Sequence, residues 1–161
     1  MASEPKVIEL MLASTLKSVT RAEALAHEVC RRAGFDEDEQ HRIEMAVHET
    51  MINAIRHGNK EDASKRVQLA FKIFPDRLEI RIRDQGPGFD PGHVADPLET
   101  KNLLKASGRG IFLARTFVDE FRIRKIEGLG TEVTLVKRKN SNKKSDEGGK
   151  HREYEGKNPP R

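Results

Sequence analysis

Apolar residues recur along the chain at two spacings, one typical of helices and one typical of strands. The helical spacing predicts a first helix over residues 17–33 and a second that begins at Asp36 and runs to about His57. Asp36 and Glu39 are spaced as in a capping box, and the Gly-Asn pair after His57 is the predicted stop. We expect the buried stripe of the second helix to consist of Ile43, Ala46, Val47, Thr50, Met51 and Ala54.

Alternation of apolar and polar residues predicts strands over residues 7–12, 67–73, 78–82, 121–126 and 131–136. A long irregular loop and a third short helix are predicted between the third and fourth of these strands. Because most strands adjacent in sequence are joined by short turns, they should pair mainly antiparallel. The predicted fold is therefore α+β: a two-layer sandwich, with a mixed, mostly antiparallel sheet and the helices on one face.

Composition limits the setting in which the protein works. A chain of 161 residues suits one folded domain. Cys30 is the single cysteine, so an intrachain disulfide and a cysteine zinc cluster are both excluded, as suits a cytoplasmic protein. The start MASEPK lacks the basic and apolar regions of a secretory signal, and no apolar stretch is long enough to span a bilayer. We therefore predict a cytoplasmic protein without a membrane association.

The positive charge is concentrated at the carboxyl end. Residues 139–161 contain seven Lys or Arg and four Asp or Glu, so they hold most of the net charge of +4. Such a tail can contact nucleic acid or an acidic partner. Its near lack of apolar residues favours a disordered, solvated segment instead. We predict a folded domain over residues 1–138 and a disordered basic tail over 139–161.

Asp84 ends the third predicted strand on the face that its apolar residues turn toward the helices. A buried carboxylate without hydrogen-bond donors is very costly. The donors can come from the protein, as an arginine or the amides of the following turn, or from a ligand such as the amino group of adenine. Gly86 and Gly88 follow at once, and glycines allow a flat ring to approach the backbone closely.

Glu49 and Asn53 lie four residues apart on the second predicted helix. Carboxylate and amide oxygens suit Mg²⁺, and a carboxylate here can also act as a general base. The alternative is an ordinary solvated helix face. His57 is explained equally by the preference for a cation at a helix C-terminus. A zincin HExxH motif is excluded, because Ile52 replaces the second histidine after His48-Glu49.

Gly108-Arg109-Gly110 stands directly before the third helix. Amides at a helix start attract phosphate, and Arg109 adds positive charge, although a simple flexible turn explains the segment equally well. It is not a P-loop, because no Gly-Lys-Ser/Thr follows. Gly86-x-Gly88 is not a Rossmann fingerprint, because Pro87 and Pro91 prevent the helix that should follow it.

In this order the segments resemble the characteristic boxes of the Bergerat-fold ATPases, which include gyrase, MutL and histidine kinases. Glu49 to Asn53 resembles the N box, Asp84 to Gly88 the first glycine box, Gly108 to Gly110 the second, and Gly130-Thr131 the last. The stretches ETMINAIRHGN and GRGIFLARTFVDEF are most similar to the anti-sigma-factor serine kinases of the RsbW and SpoIIAB type. The likeness covers about residues 6–138.

The resemblance implies an ATP-binding, kinase-like domain that uses ATP and Mg²⁺. It implies that Asn53 coordinates Mg²⁺ and that Glu49 is the base for a substrate serine hydroxyl. Asp84 would accept a hydrogen bond from the adenine amino group, supported by Thr131. The other implied nucleotide-binding residues are His57, Gly86, Gly88, Gly108, Arg109 and Gly110.

The resemblance also implies partners: a STAS-domain anti-anti-sigma factor as substrate, a sigma factor as sequestered target, and a second copy in a homodimer. Direct binding of nucleic acid is not expected. A non-catalytic module that binds ATP and only sequesters its partner is the main alternative. A histidine-kinase catalytic domain is a further one, but it needs an upstream phosphoacceptor histidine on a helical hairpin, and His27 alone precedes the N-box helix.

Overall fold

The computed structural model describes residues 4–86, 110–126 and 130–140. Their elements follow the predicted order. The helices are α1 (Leu16–Ala33), α2 (Glu37–Ile52) and α3 (Gly110–Phe117), and a π-helical turn (Asn53–Gly58) continues α2. The strands are β1 (Lys6–Ala13), β2 (Arg66–Ile73), β3 (Arg77–Arg83), β4 (Glu120–Ile126) and β5 (Gly130–Arg138).

The strands of the described ranges form one sheet in the order β1-β2-β3-β5-β4. Each of the four pairings is antiparallel. In the middle of the sheet, Ile80 of β3 lies beside Phe71 of β2 and Leu135 of β5, and all three are buried. The predicted α+β sandwich is thus confirmed, and the described part of its sheet is antiparallel throughout.

The core lies between one face of this sheet and the three helices. It combines inward residues of the strands with one side of α1, including Val19 and Val29, and with Ala114 of α3. The predicted stripe of α2 and its continuation is buried at every one of its six positions. Full burial of a large aliphatic side chain stabilises a fold by about 1.5–3 kcal/mol, so this stripe holds α2 firmly against the sheet.

The end of α1 and the start of α2 follow local rules. Gly34 ends α1 in the left-handed conformation with φ +86°, which glycine adopts without strain. Asp36 and Glu39 form the predicted capping box: the N–H of Glu39 donates to Oδ1 of Asp36 at 2.8 Å, and the N–H of Asp36 donates to Oε2 of Glu39 at 3.2 Å. A cap of this kind contributes about 1 kcal/mol.

The far end of α2 differs from the prediction. The regular α-helix ends at Ile52, and Asn53–Gly58 form a wider π-helical turn before Asn59. The N–H of Asn59 donates to the carbonyl of Ala54, five residues back, at 2.8 Å. The wider turn is compatible with the buried position of the Asn59 side chain between strand ends. Single π-turns of this kind occur frequently at functional sites.

Two other predictions concern the C-terminal tail and the absence of a membrane-spanning helix. Most of the basic tail lies outside the described residues, so the division at residue 138 stays a prediction. Among the described helices, none has the length and apolar character needed to cross a membrane.

Candidate functional site

Asp84 is buried at the end of β3, with 4% of its surface exposed. Its Oδ1 accepts two backbone hydrogen bonds, from the N–H of Gly86 at 3.0 Å and from the N–H of Thr131 at 3.1 Å. Burial raises the pKa of the Asp84 carboxyl, and these two amide hydrogen bonds act in the opposite direction. Of the two internal explanations for its burial, backbone amides are therefore realised: one belongs to the following turn, as expected, and the other to β5.

The arginine explanation is not realised within the part of the chain that the structure describes. The neighbouring guanidinium, that of Arg83, pairs instead with Glu132 on the outer face of the sheet, at 2.6 Å. None of the ion pairs formed between described residues includes Asp84. The carboxyl group is thus fixed by neutral donors at one oxygen, and the positive charge of Lys65 lowers its pKa without forming an ion pair with it.

Three glycines enclose Asp84, and we call Gly58, Gly86 and Gly130 the glycine cluster. A Cβ atom at Gly58 would lie 2.3 Å from Oδ2 of Asp84, and one at Gly86 would lie 2.2 Å from the carbonyl oxygen of Gly58. Gly130 has φ +104°, and a Cβ there would lie 2.0 Å from the backbone oxygen of Asp84. Only glycine fits at these contacts, which hold the carboxylate in one orientation.

Glu49 lies on the last turns of α2, half-buried, and faces the start of α3. A Cβ atom at Gly110 would lie 2.4 Å from Oε2 of Glu49, so two residues predicted in separate segments of the site lie close together. Asn53 follows one turn later, also half-buried, as the first residue of the π-helical turn. A carboxylate and an amide oxygen therefore follow one another along the helix, and the carboxylate lies close to the first residue of α3.

One continuous helical segment connects the two halves of the site, because Gly58 ends the π-helical turn that Asn53 begins. Gly58 is the residue that contacts Asp84. At about 1.5 Å per residue, Glu49 and Gly58 lie roughly 13 Å apart along the segment. A ligand with a ring at Asp84 and an anionic group near Glu49 and Asn53 would lie alongside this segment.

The oxygens of Glu49 and Asn53 are hard ligands of the kind that Mg²⁺ prefers. Within the described ranges, no group of three or more His, Cys, Asp or Glu side chains is placed to hold a metal by itself. Mg²⁺ usually keeps waters and takes ligand phosphates as partners, so a small protein contribution fits this ion. The residues present are therefore suited to a metal that arrives with a phosphate ligand.

The structure describes only some of the other predicted site residues, and only one of those contacts Asp84. Thr131 contacts Asp84 through its backbone amide and carbonyl, at 3.1 and 3.0 Å. His57 is exposed next to Gly58, and no contact joins it to the buried carboxylate within the described residues. Gly88, Gly108 and Arg109 lie outside the described residues, so their roles stay predictions.

Sequence reasoning missed Asn59, whose surface is completely buried. Its Nδ2 donates to Oγ of Ser14 at 2.8 Å and to the carbonyl of Arg66 at 3.0 Å, and its Oδ1 accepts from the N–H of Gln85 at 2.6 Å. Asn59 thus connects the end of the π-helical turn to β1, β2 and the turn after β3. The sequence signal, an asparagine after a glycine, is the same as that of an ordinary helix stop.

A second missed residue is Glu132, which directly follows Thr131 and is 5% exposed. It lies on the outer face of the sheet, with guanidinium groups of Arg83, Arg124 and Arg81 at 2.6, 3.4 and 3.7 Å. The cross-strand pair of Arg83 and Glu132 therefore lies on the opposite face of the sheet, adjacent in sequence to Asp84 and Thr131.

Comparison with known proteins identifies the family of this chain. A family model described as the histidine kinase-like ATPase domain matches residues 12–137. Serine-protein kinase RsbW of Bacillus subtilis is 33% identical over 112 residues, which cover 66% of this chain and 70% of that protein. Serine-protein kinase RsbW of Staphylococcus epidermidis is 30% identical over 144 residues, which cover 85% of this chain and 89% of that protein.

Among solved structures, the fold is similar to that of the RsbU and RsbW domains of Rv1364c from Mycobacterium tuberculosis. The TM-score is 0.61 at 21% identity, and the match covers 83% of this chain and 32% of that one. A histidine kinase domain from Erythrobacter litoralis gives a TM-score of 0.52 at 20% identity, over 73% of this chain and 59% of the other. The chain therefore belongs to the histidine kinase-like ATPase domain family and, within it, to the serine-protein kinases of the RsbW type.

Proposed function

We propose that this protein is an ATP-dependent serine kinase that acts as an anti-sigma regulatory factor in the cytoplasm. In this proposal it phosphorylates a serine of a STAS-domain anti-anti-sigma factor and, as a homodimer, holds a sigma factor away from RNA polymerase. The observation that carries the nucleotide part is Asp84: a buried carboxylate fixed by two backbone amides and enclosed by the glycine cluster. The relatives named serine-protein kinase RsbW support the reaction class.

Adenine would be recognised at Asp84. The backbone amides of Gly86 and Thr131 fix Oδ1, so the carboxyl plane has one orientation toward the site. An ionised carboxylate accepts hydrogen bonds and donates none. It therefore favours the exocyclic amino group of adenine over the carbonyl oxygen that guanine carries at the same ring position.

Phosphoryl transfer would take place near Glu49. The substrate serine oxygen attacks the γ-phosphorus, the bond from that phosphorus to the bridging oxygen breaks, and ADP leaves. Glu49 accepts the proton of the serine hydroxyl, a role typically worth about 10²–10⁴-fold in rate. Asn53 would hold Mg²⁺, which when bound offsets the negative charge of the phosphates. The Glu49 carboxylate lies against Gly110 at the start of α3, where a Cβ would meet its Oε2 at 2.4 Å.

The reaction is tested by incubating the protein and Mg-ATP with a purified STAS-domain candidate. We expect an acid-stable phosphoserine on the partner. Glu49→Gln should slow transfer at least about 100-fold, with little change in ATP affinity. Glu44→Gln, a half-buried glutamate on the same helix, is the matched control and should keep full activity.

Three results would contradict parts of this proposal. An acid-labile phosphate would point to a histidine-kinase reaction. Undiminished transfer by Glu49→Gln would remove the base assignment. ATP and sigma-factor binding without transfer by the unmodified protein would support the non-catalytic sequestering module.

A further inference from the structure

Asn59 closes a cyclic network of hydrogen bonds beside the segment from Asp84 to Gly86, which we call the Asp84 turn. Its Oδ1 accepts from the N–H of Gln85 at 2.6 Å, and its Nδ2 donates to the carbonyl of Arg66 at 3.0 Å. The side chain of Gln85 completes the ring, because its Oε1 accepts from the N–H of Arg66 at 2.6 Å. The start of β2 and the turn after β3 are thus joined through one buried side chain.

The chemistry at this position is specific to an amide. The group that faces the Gln85 N–H must accept, and the group that faces the Arg66 carbonyl must donate. The second hydrogen of Nδ2 is also used, by Oγ of Ser14 at 2.8 Å, so both donors and the acceptor of the amide are engaged. An aspartate would place an oxygen against a carbonyl oxygen, and an apolar residue would leave buried groups without partners.

The position of Asn59 links this ring to the nucleotide site. The preceding residue, Gly58, contacts the carboxylate of Asp84 and, through its carbonyl, Gly86. Gln85, which Asn59 holds, stands between Asp84 and Gly86 in the chain. Asn59 therefore fixes the π-helical turn against the Asp84 turn on both sides of the carboxylate.

We propose that Asn59 is a positioning residue for nucleotide recognition: it sets the distance between the π-helical turn and the Asp84 turn, and so aims the carboxylate at the purine. This inference rests on the proposed function, because it takes the ligand to be ATP. Asn59 itself does not touch the ligand in this account. It acts through Gln85 and Gly58.

A residue with a purely structural role should affect stability but not nucleotide selectivity. Asn59 also binds Ser14, whose Oγ in turn donates to the carbonyl of Lys65 at 2.7 Å. That side of the network joins the end of β1 to the segment before β2 and includes no bond to Gln85 or Gly58. Loss of a bond there should lower stability without changing nucleotide selectivity, so Ser14→Ala is a matched control within the same network.

The test compares Asn59→Ala, Ser14→Ala and the unmodified 161-residue chain, at a temperature where circular dichroism shows all three folded. ATP and GTP dissociation constants, and kcat at saturating ATP, are measured for each. For Asn59→Ala we expect a roughly tenfold weaker ATP affinity, a smaller preference for ATP over GTP, and kcat within about twofold. For Ser14→Ala we expect a lower Tm but an unchanged affinity and preference. Should Asn59→Ala fail to fold, Asn59→Ser, which keeps a hydroxyl in the site, takes its place.

The outcomes separate this inference from the proposed function. If the unmodified protein binds ATP and the Asn59 variant keeps its affinity and its preference, the positioning role is wrong and the kinase proposal stands. The role is also wrong if both variants weaken ATP binding to the same degree, because a general loss of stability then explains the effect. If the unmodified protein shows no preference for ATP, the proposed function fails and this inference fails with it.

Discussion

Asp84 and Thr131 exchange two hydrogen bonds across the ends of β3 and β5. The N–H of Thr131 donates to Oδ1 of Asp84 at 3.1 Å, and the N–H of Asp84 donates to the carbonyl of Thr131 at 3.0 Å. The second of these is a backbone bond, but the first places a side chain in the position of a ladder acceptor. Because the sheet holds only one oxygen of the carboxylate, changes to its immediate neighbours, and to the residues that hold those neighbours in place, should have specific effects.

Replacing Gly58 by alanine should disturb the carboxylate directly. The added Cβ would lie 2.3 Å from Oδ2 and 2.4 Å from Cγ of Asp84, so the acid must move. We expect ATP affinity to fall at least about tenfold and the free energy of unfolding to fall by about 1–3 kcal/mol, as for other overpacked sites. Calorimetric titration and chemical denaturation measure the two effects.

Gly34→Ala is the control for that substitution. Gly34 has φ +86°, and no atom lies within 4 Å of the point where its Cβ would stand, so the change strains the backbone without a steric contact. It should destabilise the fold by about 1 kcal/mol and leave ATP affinity unchanged. Equal losses of affinity in the two variants would show that Gly58 matters only for stability.

Gly110→Ala should affect transfer more than folding. The added Cβ would meet Oε2 of Glu49 at 2.4 Å, and the end of a glutamate side chain can move aside at little cost. We expect a Tm close to that of the unmodified protein and a kcat at least about tenfold lower, because general bases act only within hydrogen-bond reach of their proton. Steady-state phosphorylation of the partner measures this, and an unchanged kcat would mean that the position of Glu49 does not limit transfer.

The stability of the ligand-free protein should depend on pH through Asp84. Burial raises the pKa of this carboxyl in the folded state, so the folded chain binds its proton more tightly than the unfolded chain does. Stability therefore falls as the pH rises from the unfolded pKa of about 3.9 to the raised folded value, and it stays lower above that window. Asp84→Asn should accordingly have the higher Tm at pH 7, with a difference that shrinks toward pH 4.

The sequence predicts the helices, the strands and the inward position of Asp84, because each of these depends on a local pattern. The stripe of α2 follows the helical period, and the capping box of Asp36 and Glu39 is closed within four residues. Asp84 was placed on the inner face by the alternation of β3 alone. These features need no knowledge of the rest of the chain.

What the sequence did not predict depends on contacts between distant segments. The sequence pattern predicts Gly58 as part of a helix stop, whereas in the structure its lack of a side chain is required by Asp84, far along the chain. Asn59 gains its role from Ser14, Arg66 and Gln85, which come from three different segments. The π-helical turn accompanies these contacts, and helix propensity gives no sign of it.

The central claim, that a purine is recognised at Asp84, is tested most directly by thermal unfolding of the protein and of Asp84→Asn with Mg-ATP, Mg-ADP and Mg-GTP. Asparagine keeps an oxygen for the two backbone amides but replaces the other acceptor by a donor. At a ligand concentration about 100 times Kd, ATP should raise the Tm of the unmodified protein by roughly 5–10 °C. ADP should also raise it, GTP should have little effect, and the variant should show no rise with ATP. An equal rise with GTP, or a full ATP shift in Asp84→Asn, would contradict the account.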